Sequence, residues 1–150
     1  MTDPVAILAS ASSILVVDWP TRDVPDALAR AGLEVVVHGG PGPEDYVAYE
    51  MGDGGEVVER RTGRPPEQAD VVYTYRPLDE LPEIVEHARA IGARAVWIHS
   101  GLTAGGEEYP TGSWLADEDA AAARAIVESA GLAYVDSPYI ADVARGLGGG

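Results

Sequence analysis

The chain has 150 residues and a mass of 15.7 kDa, with 46% hydrophobic and 23% charged residues, which suits one compact core and excludes the low-hydrophobicity composition of disorder. Ten basic residues, all arginine, against 25 acidic ones leave a formal charge of −15, a surface that argues against nucleic acid and anionic membrane as partners. With no cysteine, disulfides, thiolate zinc sites, iron–sulfur clusters and cysteine catalysis are excluded together.

Thr2-Asp3-Pro4 opens like a helix start, a capping side chain before a proline whose missing N–H costs nothing at the first helical position. A short helix is predicted over 4–11. Ile14-Leu15-Val16-Val17, ending in Asp18, is an uninterrupted apolar run, which is how a strand buried on both faces reads. Similar runs at Glu34–His38, Asp70–Tyr75, Arg94–His99 and Leu132–Asp136 complete a set of five predicted strands.

Helical stretches lie between them at Val24–Ala31, Leu81–Ile91 and Asp119–Ala130, each followed by a glycine that suits the left-handed position past a last turn. Ile84, Val85, Ala88 and Ile91 share one face of the second, leaving Glu86 and His87 outward. A last helix is expected near Tyr139–Arg145, with 146–150 as a frayed glycine-rich tail. The alternation implies an α/β, Rossmann-like three-layer fold over 1–150, with a five-stranded parallel sheet in the order 3-2-1-4-5. Two segments, Gly39–Ala69 and Leu102–Ala116, read as long loops, and loops of such length are usually functional or mobile.

In an open parallel sheet the ligand crevice lies beyond the carboxyl ends of the strands, where neighbouring connections diverge. With the expected order that point falls at the first and fourth strands. Asp18, Trp19, Pro20, Thr21 and Arg22 arrive there, with His38 and Gly39 after the second strand, Tyr75, Arg76 and Pro77 after the third, and His99, Ser100 and Gly101 after the fourth. No glycine-rich phosphate fingerprint follows the first strand, and Asp18 places a carboxylate there, which disfavours a dinucleotide in its usual pose. Arg22 and Arg76 are the cations placed to meet an anionic ligand. Arg76 has a structural alternative, pairing with Asp79 or Glu80.

Asp18, His38 and His99 would leave one sheet edge from neighbouring strands at intervals of about 5 Å. Two imidazoles and a carboxylate can hold a divalent metal or move a proton; histidines hydrogen-bonded at strand ends are the simpler alternative. His87, on a solvent face, is expected to have no functional part. The acids Asp117, Glu118 and Asp119 fit a helix start, where negative charge complements the macrodipole.

The stretch Asp70–Pro77, then Leu81-Pro82-Glu83-Ile84-Val85-Glu86, then Ile91–Gly101 with its Gly92-Ala93-Arg94-Ala95-Val96-Trp97 run, resembles the small CoA-binding proteins. Their Rossmann-like domain is similar to the N-terminal part of the succinyl-CoA synthetase α subunit. The order of elements matches over most of 4–145, and the motifs are dense over 69–101 and 120–136. The resemblance implies a non-catalytic protein that binds coenzyme A, acyl-CoA or a related nucleotide, with Thr21, Arg22, His38, Gly39, Tyr75, Arg76, Pro77, Ser100 and Gly101 lining the crevice. The chain departs from the family pattern at Asp18-Trp19-Pro20-Thr21, at His38-Gly39-Gly40 and at Asp136-Ser137-Pro138.

Two other roles stay open: a repurposed centre at Asp18, His38 and His99 beneath the Leu102–Ala116 segment, and a homo-oligomeric or partner-binding module presenting Trp19, Tyr109 and Trp114. The acidic Met1–Asp3 start and the serines interrupting Val5–Val17 lead to the expectation of a cytoplasmic protein with no signal peptide and no membrane span. The absence of Lys, Asn and Phe, with Gln68 the one glutamine, fits a GC-rich genome.

Overall fold

The structure is a computed structural model that describes residues 4–17, 23–38, 45–64, 66–74, 78–98, 117–135 and 140–148. The strands are β1 (Ser13–Val17), β2 (Glu34–His38), β3 (Tyr46–Met51), β4 (Val57–Arg61), β5 (Val71–Thr74), β6 (Ala95–Ile98) and β7 (Ala133–Val135). The helices are α1 (Pro4–Ala9), α2 (Asp23–Arg30), α3 (Leu81–Ala90), α4 (Asp117–Ser129) and α5 (Ile140–Gly148), with a 3-10 turn at Leu78–Glu80 before α3. Each predicted strand and helix has a counterpart within a few residues. The last helix runs on to Gly148, into the stretch expected to fray.

The sheet differs from the expectation in size and order. Among the described residues it has seven strands in the order β4-β3-β2-β1-β5-β6-β7. The stretch 39–69, expected to be a long loop, supplies β3 and β4, which pair antiparallel with β2 and with each other. That hairpin takes the free edge of β2, where the third parallel strand was expected. The third parallel strand, β5, therefore pairs with the other side of β1. β6 and β7 follow in parallel beyond it.

Alternation along the strands divides the core into two layers. Ile14, Val16, Val35, Val37, Val71, Tyr73, Trp97 and Val135 pack with α1, α2 and α5 residues such as Leu8, Leu28 and Ile140. Leu15, Val72, Val96, Ile98 and Tyr134 face the other way, against Leu81, Val85 and Ala88 of α3 and Ala123 and Val127 of α4. The continuous apolar runs of β1, β5 and β6 follow from this burial on both faces. Trp97, at 1% exposure, is the largest buried side chain.

The amino ends of the parallel strands are tied by one side chain. Asp70, just before β5, accepts hydrogen bonds from the backbone N–H groups of Ser12 at 2.7 Å and Ser13 at 3.4 Å. α3 ends as its glycine predicts. Gly92 has φ 79°, and N–H bonds from Gly92 to the Arg89 carbonyl at 3.1 Å and from Ala93 to the Ala88 carbonyl at 2.9 Å close a Schellman cap. No helix among the described residues is long and apolar enough to cross a membrane.

Candidate functional site

The connection from β1 to β2 runs through α2 in one helix layer, and the connection from β5 to β6 runs through α3 in the other. Right-handed crossovers that lead away from the centre in opposite directions must take opposite faces. The divergence point is therefore between β1 and β5, which are direct neighbours. The sequence placed it at the first and fourth predicted strands; with β5 inserted between β1 and β6, it shifts by one strand. The same insertion separates the end of β6, which precedes His99, from the end of β1, which precedes Asp18, by two strand intervals or roughly 10 Å. These two ends are not neighbours, as the proposed Asp18, His38 and His99 grouping required.

Of the predicted site residues, His38 lies within the described structure. Asp18, Trp19, Thr21, Arg22, Gly39, Tyr75, Arg76, Pro77, His99, Ser100 and Gly101 lie outside the described residues, as do the Leu102–Ala116 segment and the aromatic residues Tyr109 and Trp114.

His38 ends β2, in register with Val17 on one side and Tyr46 on the other. Its ring centroid is 4.8 Å from that of Tyr46, with the planes tilted by 53°. Both rings border a cavity of about 210 Å³ whose floor is Leu15, Val17 and Val72 of β1 and β5, and whose far wall is Glu83, Ile84 and His87 of α3. Glu83 and His87 are four residues apart and Ile84 and His87 three apart, so all three share one flank of the helix.

His87 is thus not on an open solvent face, as the sequence suggested. Among the described residues the layer holding α3 and α4 places no helix over β2 and β3, and the flank of α3 turned toward β2 borders the hollow. Burial, and after it the charge of His38, lowers the pKa of His87 below the ordinary histidine value of 6.5. The neutral imidazole offers one donor and one acceptor. With an apolar floor, an aromatic pair and a carboxylate, the cavity can take a flat, partly polar group, stacking it on one side and hydrogen-bonding it at its rim.

Among the described residues no group of three or more histidines and acids is arranged to hold a metal. A second, more open hollow of about 590 Å³ lies between β2, β4 and the 62–68 segment, with Glu34 and Glu67 facing Arg60 and Arg64. Its charges are mixed, and Glu34 and Gln68 place it toward the amino ends of β2 and β5, away from the divergence point.

The sequence profile of the CoA binding domain matches residues 17–141, from the end of β1 to the start of α5. The chain belongs to that family. No curated protein matches it in sequence. Among solved structures it resembles the crystal structure of Prb, described as the PH1109 protein redesigned for binding, with a TM-score of 0.61 and 21% identity over 100% of this chain and 94% of that one. At that identity the likeness is one of fold. In this CoA binding domain the cavity residues Tyr46, Glu83, Ile84 and His87 were not among the sequence candidates. The i, i+4 pair Glu83 and His87 was visible in the sequence, but its meeting with His38 depends on a sheet order that the sequence did not reveal.

Proposed function

We propose that the chain binds coenzyme A or an acyl-CoA without turning it over, in the crevice beyond the carboxyl ends of β1 and β5. The observation that carries this reading is the family match, which runs from the last residue of β1 through β5 and includes the segments that follow both strands. The divergence of α2 and α3 to opposite faces supports the location. Around it we assign Asp18, Trp19, Thr21 and Arg22 after β1, His38 and Gly39 at β2, Tyr75, Arg76 and Pro77 after β5, and His99, Ser100 and Gly101 after β6. In a chain of charge −15, a ligand carrying several phosphates needs local donors, and Arg22 and Arg76 are the arginines next in sequence to the two central strands. The planar guanidinium suits a phosphate because it donates two bonds at once.

Calorimetric titration of the full chain with CoA and acetyl-CoA tests the assignment. Binding that weakens about tenfold or more in Arg76→Ala is expected for loss of a charge-assisted bond; no heat up to millimolar ligand overturns the reading.

A second reading is favoured by the polar cavity itself: a site for a small substrate, using His38 together with Glu83 and His87 on the facing wall. A chain that ignores CoA but binds small polar ligands through His38, losing them in His38→Ala, fits this second reading and not the first.

A further inference from the structure

β4 is the outer strand of the sheet, and four of its five residues are exposed. Natural edge strands are commonly protected by proline, by a bulge, by charged side chains or by a covering helix or loop. Val57–Arg61 has no proline, pairs with β3 in unbroken register, and among the described residues has no strand on its outer side; its guard is charge alone, Glu59, Arg60 and Arg61, and charges of both signs can pair across a two-fold axis as well as repel. Two of the three exposed large hydrophobic residues among those described, Met51 and Val58, lie on the β3–β4 hairpin.

We infer that β4 is the contact strand of a homodimer, in which β4 of a second copy adds antiparallel and the two sheets become continuous. The register follows from three constraints. A two-fold axis perpendicular to the sheet requires a residue to lie opposite its own copy. The hydrogen bonds from Gly52 N–H to the Glu56 carbonyl and from Thr62 N–H to the Tyr46 carbonyl show that the even-numbered residues turn their backbone groups toward β3. In an antiparallel ladder the intervening groups, those of Val57 and Arg61 among them, then turn outward. The even-numbered residues consequently form the closer, non-hydrogen-bonded cross-strand pairs of a new ladder.

The third constraint is side-chain chemistry. An axis at Glu59 sets carboxylate against carboxylate, and an axis at Arg60 sets guanidinium against guanidinium, both unfavourable directly across a ladder. An axis at Val58 sets Val58 against Val58 of the second copy and, on either side, Glu56 against Arg60 of the second copy. Glu56 is exposed and takes part in none of the ion pairs found among the described residues. Arg60, bonded to Glu50 at 3.3 Å and itself largely exposed, has donors to spare, since a guanidinium carries five N–H groups. The register thus places an exposed apolar residue on the axis and gives the Glu56 carboxylate a cation.

Sedimentation equilibrium of the full chain over a range of concentrations tests the inference, with circular dichroism as a check that each variant is folded. A dimer is expected. Val58→Lys, which puts two like charges on the axis, should abolish it. Glu56→Arg and Arg60→Glu should each weaken it roughly five- to tenfold, and the double exchange should restore it. A wild-type chain that stays monomeric overturns the proposal, including one that instead takes up an extended peptide of another protein. A dimer indifferent to Val58→Lys, or a double exchange that does not rescue, also overturns it.

Discussion

His38 and His87 line one cavity from two walls, the end of β2 and the flank of α3, and the charge of His38 adds to burial in lowering the pKa of His87. In the unfolded chain His87 titrates near the model-peptide value of about 6.5. Between that value and the lower folded one, the unfolded state holds the extra proton, so stability rises with pH there. Stability is complete above the unfolded pKa, is lost as pH falls through it, and the loss levels off below the folded pKa. Urea midpoints measured from pH 8 down to pH 5 should fall for the wild type with a component that is missing in His87→Gln. His38→Gln should move the His87 titration, followed by NMR, only part of the way back up, because burial is the larger cause.

Asp70 ties the start of β5 to the start of β1 through two backbone N–H groups nearly sixty residues away in sequence. Hydrogen bonds to a carboxylate are stronger than neutral ones. Asp70→Ala should cost about 1–3 kcal/mol of stability by urea denaturation. Asp70→Asn, which keeps one acceptor in place, should cost less. An alanine variant as stable as wild type would show that water replaces the carboxylate there.

The parallel strands and the helices were legible because burial on both faces makes β1, β5 and β6 continuous apolar runs, and because glycine marks where α2, α3 and α4 stop. The β3–β4 hairpin was not legible. Tyr46–Met51 does not alternate, its one buried residue being the small Ala48, and β4 is mostly exposed and charged, so neither offers the periodic hydrophobic contrast that marks a strand. That omission carried over to the site. Without the hairpin on the outer edge of β2, Asp70–Tyr75 was assigned that place, and α3 could not be brought beside His38. His38, which borders the cavity, stands out in the sequence because it ends an apolar run at the carboxyl edge of the sheet.

Gly32 and Gly92 follow α2 and α3 at φ 96° and 79°, and a Cβ at either would meet nothing within 4 Å. Substitution there therefore tests backbone strain without any steric clash. Gly32→Ala and Gly92→Ala should each destabilise by about 1–2 kcal/mol, the cost of a left-handed conformation for a residue with a Cβ. Asparagine at the same positions should cost less, since its short polar side chain tolerates that region. The two effects should add, because the caps belong to separate helices on opposite faces of the sheet.

A substitution at Ile84 tests whether the cavity takes part in binding without disturbing stability. This residue is half-buried, packs beside the α3 and α4 core layer, and forms part of the far wall opposite His38 and Tyr46. A cavity of about 210 Å³ has room for an indole, so Ile84→Trp should fill it with little change in the thermal midpoint. If the bound ligand sends a flat group into this space, the same variant should weaken CoA binding about tenfold or more by calorimetry, the scale expected when a well-fitted group is displaced. His38→Ala, which removes a stacking surface and leaves the cavity open, should weaken binding less. Undiminished CoA affinity in Ile84→Trp would place the whole ligand above the strand ends, outside the cavity.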